Sequence, residues 1–591
     1  MADLEFTTLA GRAGEQARRM QKVLLDMGVK PSHVKVAIER AEMTGETLPA
    51  IMRDFGFMGP EEVAEAVGLQ FGMDYFPPTR LAELDPADMK KTLMPTFRPY
   101  APAGFDPDGK LRVLVADEKG INDANNDFLD FRKRLMAASE QSIQTVFRRY
   151  YAKTAEEYDA EASEFLSVLN SRTREEDPGM LRNLFGRLLR HACYVGASDI
   201  YLSKSQAVGV AKMKVNGSGQ IFRTMPFEMY DRLINLLIQE TGTKIEDLRR
   251  EPREAYFSFN TEDFRRKFSD IADRYGFRVE LAESRNGNRT TVIRVQDGQS
   301  SLVRLDNLGF EPETRKRLLR WTSVSTGLIV VTGPTGSGKT TTLYALLGAI
   351  DPVERSVQSI ENPIEVPKGL WQQYQPVTEP GQEAEGAKKY LKAMLRQAPD
   401  VILMGETRDA ESAAVLLDAA HTGHLAVSTL HTNSSVKALI RLRLLGVDGE
   451  SLSAALQGIL AQRLVRKLCP HCAEEDTRED TVEALQKAAY LSGEFKPRKQ
   501  GPGCPHCSFT GFKGRSMVYE TLDVTPSVRR LLEREAPLTE IMGAAFAPGT
   551  TMWGCGLRMV AVGDVSMEEL RRNAECDDDL LEQMRNQPGR G

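Results

Sequence analysis

The chain has 591 residues, with 77 Lys and Arg against 83 Asp and Glu, a formal net charge of −6. A 27% charged and 41% hydrophobic composition suits a soluble protein of several domains, and the acidic balance speaks against a chain built mainly to grip nucleic acid. No apolar run reaches the ~18 residues of a membrane span. The opening MADLEFTTLAGRAGEQARR has no apolar signal core, so a cytoplasmic protein is expected.

Residues 1–78 read as a helical domain. RMQKVLLDMGV carries apolar positions at helical spacing, and Gly56 closes one helix before Pro60 opens the next. Residues 79–155 mix helices with a strand at KLRVLVAD (110–117), giving a second, α/β domain. The acid-rich 156–178 reads as a linker separating modules, with a helix capped by a hinge as its local form. From 179 to 299, helices precede β-rich runs, notably FRVELAESRNGNRTTVIRV, as in an α+β domain. From 300 to 467, strands alternate with helices, which implies a parallel α/β sheet. A cysteine-bearing module at 468–515 and a helical region at 516–591 complete the chain.

GPTGSGKT (333–340) follows the apolar GLIVV and opens KTTTLYALLGAI, the strand–loop–helix setting of a phosphate cradle. Gly333, Gly336 and Gly338 allow the tight turn; Pro334, Thr335, Ser337 and Thr341 complete the loop around ATP. Lys339 is expected to reach the terminal phosphates and Thr340 to offer its hydroxyl to Mg²⁺. PDVILMGE (399–406) reads as a buried strand ending in an acid. Gly405 stands where many phosphate-loop enzymes keep an aspartate, leaving Glu406 to orient water or support the metal, or to be merely solvated. SIENPIEV (359–366) brings Glu361 and Glu365 to another strand end, where one carboxylate can polarise water.

Three of the seven histidines fall in HTGHLAVSTLHTN (421–433). His424 and His431 are expected on the phosphate-facing edge of the sheet, a metal role being weaker because no acid or cysteine pattern accompanies them. CPHC occurs twice, placing Cys469, Cys472, Cys504 and Cys507 at the spacing of a closed, structural zinc site. A redox role is the alternative. His471 and His506, inside the knuckles, are expected not to be ligands.

These motifs in this order resemble the secretion ATPase family, the assembly ATPases of type II secretion and type IV pilus systems. GPTGSGKTTTLYALL is similar to its Walker A, SIENPIEV to its aspartate box, LRQAPDVILMGETRDAESA to its Walker B and TGHLAVSTLHTN to its histidine box. The resemblance implies a multidomain α/β fold: a RecA-like P-loop ATPase core after a PAS-like domain, with a tetracysteine module. It places Glu361, Glu406, His424 and His431 in catalysis, and implies arginines of the preceding domain near the γ-phosphate; Arg278, Arg289 and Arg294 stand at similar places. It further implies a homohexamer acting with an inner-membrane platform protein and a cytoplasmic adaptor, peripheral to the membrane and without nucleic acid. The chain departs from the family at Asn362, Tyr201, Lys212, Lys214 and Asn216. ETLPAIM (46–52) lacks the arginine and glycine of a cyclic di-GMP motif, so that ligand is not expected. The rivals are a retraction ATPase, a DNA translocase and a scaffold that binds nucleotide without turnover.

Overall fold

The computed structural model describes residues 11–576 except 90–97, 130, 152, 172–177, 206–207, 249–251, 258–260, 273, 284–287, 299–303, 377–382, 489, 508 and 548. The chain's first ten residues, the end of the expected linker and the last fifteen residues of the C-terminal region lie outside that set. The chain divides into two units, Met1–Gln299 and Ser300–Gly591. Among the described residues no helix is long and apolar enough to cross a membrane.

In the first unit, four helices (Gly11–Asp26, Pro31–Thr44, Leu48–Asp54, Pro60–Phe71) pack around Met20, Leu24, Ile51 and Val67. Gly45 and Gly72 end two of them in the left-handed conformation that a C-terminal glycine supplies. A four-stranded sheet follows, holding Leu111–Val115 at the expected strand. The stretch expected as a linker, with a helix as one reading of it, carries the helix Thr154–Ser171, which buries Tyr158 and Phe165 in the next core. Its acidic surface is what made it read as a spacer, yet apolar residues seven apart fall on one helical stripe. That core backs a six-stranded sheet. Asn216 and Gly217 both take positive φ (51° and 80°) in one of its hairpin turns.

The second unit is built on seven strands in spatial order Gln372–Tyr374, Val357–Ile360, Val401–Met404, Leu425–Leu430, Gly327–Thr332, Leu456–Leu468 and Phe512–Asp523. The first six run parallel, and the last is antiparallel to its neighbour. Every residue of Gly327–Thr332 is buried. Leu328 and Val330 join the core on one face, Ile329 and Val331 that on the other. A strand covered on both faces needs this unbroken apolar run. Phe512–Asp523 falls across the expected border between cysteine module and helical region, so the C-terminal region is not all helical; helices resume at Pro526–Glu533. The cysteine module is thereby an excursion between two paired strands, closing where Leu468 faces Phe512.

Candidate functional site: a phosphate cradle at the carboxyl edge of the parallel sheet

The loop leaves Thr332 through Gly333 at φ 156°, where a Cβ would lie 2.4 Å from the Gln462 carbonyl oxygen, a contact no side chain tolerates. Gly338 (φ 87°) caps the helix Lys339–Leu347, whose free N–H groups and dipole make an anion site. Lys339 curls under the loop and its Nζ donates to the carbonyls of Gly333 (2.8 Å) and Pro334 (3.0 Å). Burial pushes this lysine below its ordinary pKa, while the carboxylates of Glu406 and Glu365 pull it back up. Thr340 and Thr341 follow in the first helical turn.

Two side chains that the motifs did not single out brace the loop. Gln462, buried on the adjacent strand, donates through Nε2 to the Ser337 carbonyl (2.9 Å). The Thr332 hydroxyl meets that of Thr432 at 2.7 Å and accepts from the Thr432 N–H at 3.0 Å, tying the loop's root to the segment after His431. Gln462 sits in AQRLVR, which the motif reading used only as a lead into the cysteines; a polar residue inside a buried strand was the available signal.

Parallel strands deliver their carboxyl ends to one edge. On that edge Glu406 Oε2 accepts from Arg408 at 2.8 Å, and Oε1 lies 3.3 Å from His431 Nε2. Burial alone would raise the Glu406 pKa. The hydrogen bond and charge of Arg408, with His431 and Lys339, outweigh it and hold the carboxyl below the usual range. A Cβ on Gly405 would lie 3.2 Å from the Ile360 carbonyl, so glycine lets this strand end close on the one carrying Glu361. Glu361 is 6% exposed and accepts from Tyr344 (2.5 Å), Ser359 (2.6 Å) and Gln373 (3.1 Å).

His424 is not at this edge, contrary to expectation. Leu425–Leu430 lies between the two histidines, and Gly327, the first residue of the P-loop strand, donates its N–H to the His424 carbonyl. Six residues of strand put His424 about 20 Å from the loop. Its Nδ1 pairs with the Ala419 carbonyl (2.9 Å) at the end of the preceding helix.

The arginine candidates lie in the first unit. Arg278 and Arg294 stand directly opposite each other on paired strands, while Arg289 faces Glu283 five residues along. Each engages an acid of its own sheet: Arg278 with Glu254, Arg294 with Asp199 (3.3 Å), Arg289 with Glu283 (3.1 Å).

The four cysteines converge, all sulfurs lying within 4.8 Å of one another and three pairs at 3.8 Å. A zinc tetrathiolate with bonds of about 2.3 Å has edges of about 3.8 Å, so the donor set fits that ion. His471 and His506 stack on each other at 3.8 Å.

The family described as "Type II/IV secretion system protein" matches residues 174–572. The type IV pilus assembly ATPase PilB of Thermus thermophilus is 29% identical over 539 residues, covering 87% of this chain and 58% of that one. The protein transport protein HofB homolog of Escherichia coli is 38% identical over 297 residues, covering 50% of this chain and 62% of that one. The chain thus spans less than two thirds of the length of either. The type IV pilus assembly ATPase PilB of Pseudomonas aeruginosa is 32% identical over 411 residues, 69% of each chain. Matched over most of its length, the chain belongs to the type II/IV secretion system protein family.

Proposed function

We propose that the chain is an ATP-hydrolysing motor for pilus or pseudopilus assembly, working as a hexamer against an inner-membrane platform. The observation that carries the catalytic part is the single sheet edge on which Lys339, Glu406, Glu361 and His431 all lie. In this reading the loop's N–H groups and Lys339 hold the phosphates, and Thr340 offers its hydroxyl to Mg²⁺. Glu361 orients and deprotonates the attacking water. Glu406 supports the metal's shell, and His431 reports on the terminal phosphate through its contact with Glu406. Zinc closes the tetracysteine cluster and staples a module with little core of its own. The ATPase names of the relatives support the activity, and their pilus-assembly names support extension over retraction.

Mg-dependent ATP turnover tests the reading. The wild type should turn over, and Glu406→Gln should bind ATP but lose at least about 100-fold in kcat. Binding without turnover in both proteins would favour the scaffold. Light scattering with ATP tests the hexamer, and DNA-stimulated turnover would revive the translocase.

A further inference from the structure

Glu361 is held more completely than an acid at an open strand end. Its three donors come from three places. Ser359 belongs to its own strand, Gln373 to the edge strand Gln372–Tyr374, and Tyr344 to the helix that begins with Lys339. Gln373 is itself fixed. Its Nε2 also donates to the Val366 carbonyl (3.0 Å), and its Oε1 accepts from the Lys368 N–H (2.6 Å). The Tyr344 ring lies parallel to Trp371 (5.6 Å, 14°), with Lys368 Nζ 5.4 Å from the ring centre. The two oxygens are served differently: Ser359 and Gln373 donate to Oε1, and Tyr344 to Oε2.

A buried carboxylate needs donors wherever it stands, and Ser359 and Gln373 already supply two. What Tyr344 adds is a link between elements. Its helix carries the phosphate-binding N-terminus, so a shift of that helix on the phosphates is transmitted to Oε2 through one hydroxyl. The Tyr344–Trp371 stack fixes the ring, and with it the direction of the O–H.

We propose that Tyr344 is a positioning residue: its hydroxyl sets the orientation of Glu361 and couples it to the phosphate-binding helix. This rests on reading Glu361 as the water-activating acid. The hydroxyl then contributes to the chemical step and not to nucleotide affinity.

Tyr344→Phe removes the hydroxyl and keeps the ring against Trp371. It should lower kcat about tenfold, with KM for ATP and the affinity for a fluorescent ATP analogue unchanged. Glu361→Gln should be nearly inactive, and adding Tyr344→Phe to it should cost nothing more, because the hydroxyl acts through the carboxylate. If Tyr344→Phe does not fold, Gln373→Met breaks the Oε1 side of the same cradle and should show the same kcat-only loss. Wild-type kcat in the folded variant, with Glu361→Gln inactive, overturns the positioning role and leaves the Glu361 reading standing. A raised KM or weakened analogue binding also overturns it, making Tyr344 a prop of the loop. Full turnover in Glu361→Gln would instead sink the reading beneath it.

Discussion

The carboxyl edge of the parallel sheet and the six-stranded antiparallel sheet both gather charged side chains, by opposite means. On the parallel edge the charges come from distant segments because strand ends meet there. They share partners: Glu406 contacts Arg408 and His431 and also feels Lys339. In the antiparallel sheet, neighbouring strands face each other, and each candidate arginine meets an acid on an adjacent strand. Convergence leaves a carboxylate answering to several elements at once, so on the proposed reading its removal should disturb chemistry. Pairwise compensation leaves each arginine answering to one acid, and the most exposed of these pairs, Arg278 with Glu254, is worth ~0–1 kcal/mol.

The sharpest test of this contrast is turnover. Glu361→Gln at the converging edge should lower kcat by about 10²–10⁴-fold, the range for a positioned acid or base. A comparable loss from Arg289→Ala, whose guanidinium is held by Glu283 on the paired strand and by Asn235 on the helix Phe227–Glu240, would break the contrast. Steady-state rates at saturating Mg-ATP decide it.

The next effect is on stability. Glu520, 7% exposed, accepts from the Ser435 N–H (2.8 Å), the Ser435 hydroxyl (2.7 Å) and the Met552 N–H (3.2 Å). It thereby caps two helices from one strand, including the helix after the histidine segment. Glu520→Ala leaves buried donors unpaired and should cost ~3 kcal/mol, read from the urea midpoint of the second unit's transition. A cost below ~1 kcal/mol would mean that burial with several donors is no more demanding than a surface pair.

Much of the site was legible because its parts are local. The P-loop, the double CPHC and the strand-end acids need only short spacings, and the loop's strand announces itself by an unbroken apolar run. The bracing side chains were not legible. Gln462 and Thr432 reach the loop from more than ninety residues away, and Gln373 comes from a three-residue edge strand too short to show a period. Phe512–Asp523 was hidden because its polar start, Lys513 to Ser516, straddles the expected border at 515/516 and shows no alternation; Arg515 and Ser516 nonetheless pair with Arg466 and Val465. The misplacement of His424 was avoidable. HLAVSTLH, read as one strand, already puts its two histidines at opposite ends.

That strand supplies a smaller test. His431→Ala should lower kcat about tenfold with nucleotide binding intact, since it removes a partner of Glu406. His424→Ala should leave kcat within about twofold and cost ~1 kcal/mol at most, the worth of a side chain pairing with a helix-end carbonyl. Equal losses of turnover would mean that the two ends of the strand serve one site.

The smallest expected effect is at Arg294. It is half exposed and pairs with Asp199, which also stands opposite Lys214 on the next strand. On its other side Arg294 faces Arg278, and like charges directly opposite repel. Arg294→Ala therefore removes one attraction and one repulsion together, and Asp199 keeps a lysine neighbour. The unfolding free energy of the first unit should change by no more than ~0.5 kcal/mol, and the change should shrink further in 0.5 M salt as screening removes both contributions. A loss above ~2 kcal/mol that persists in salt would show that this arginine is held as tightly as the carboxylates of the parallel edge, and would erase the distinction between the two sheets.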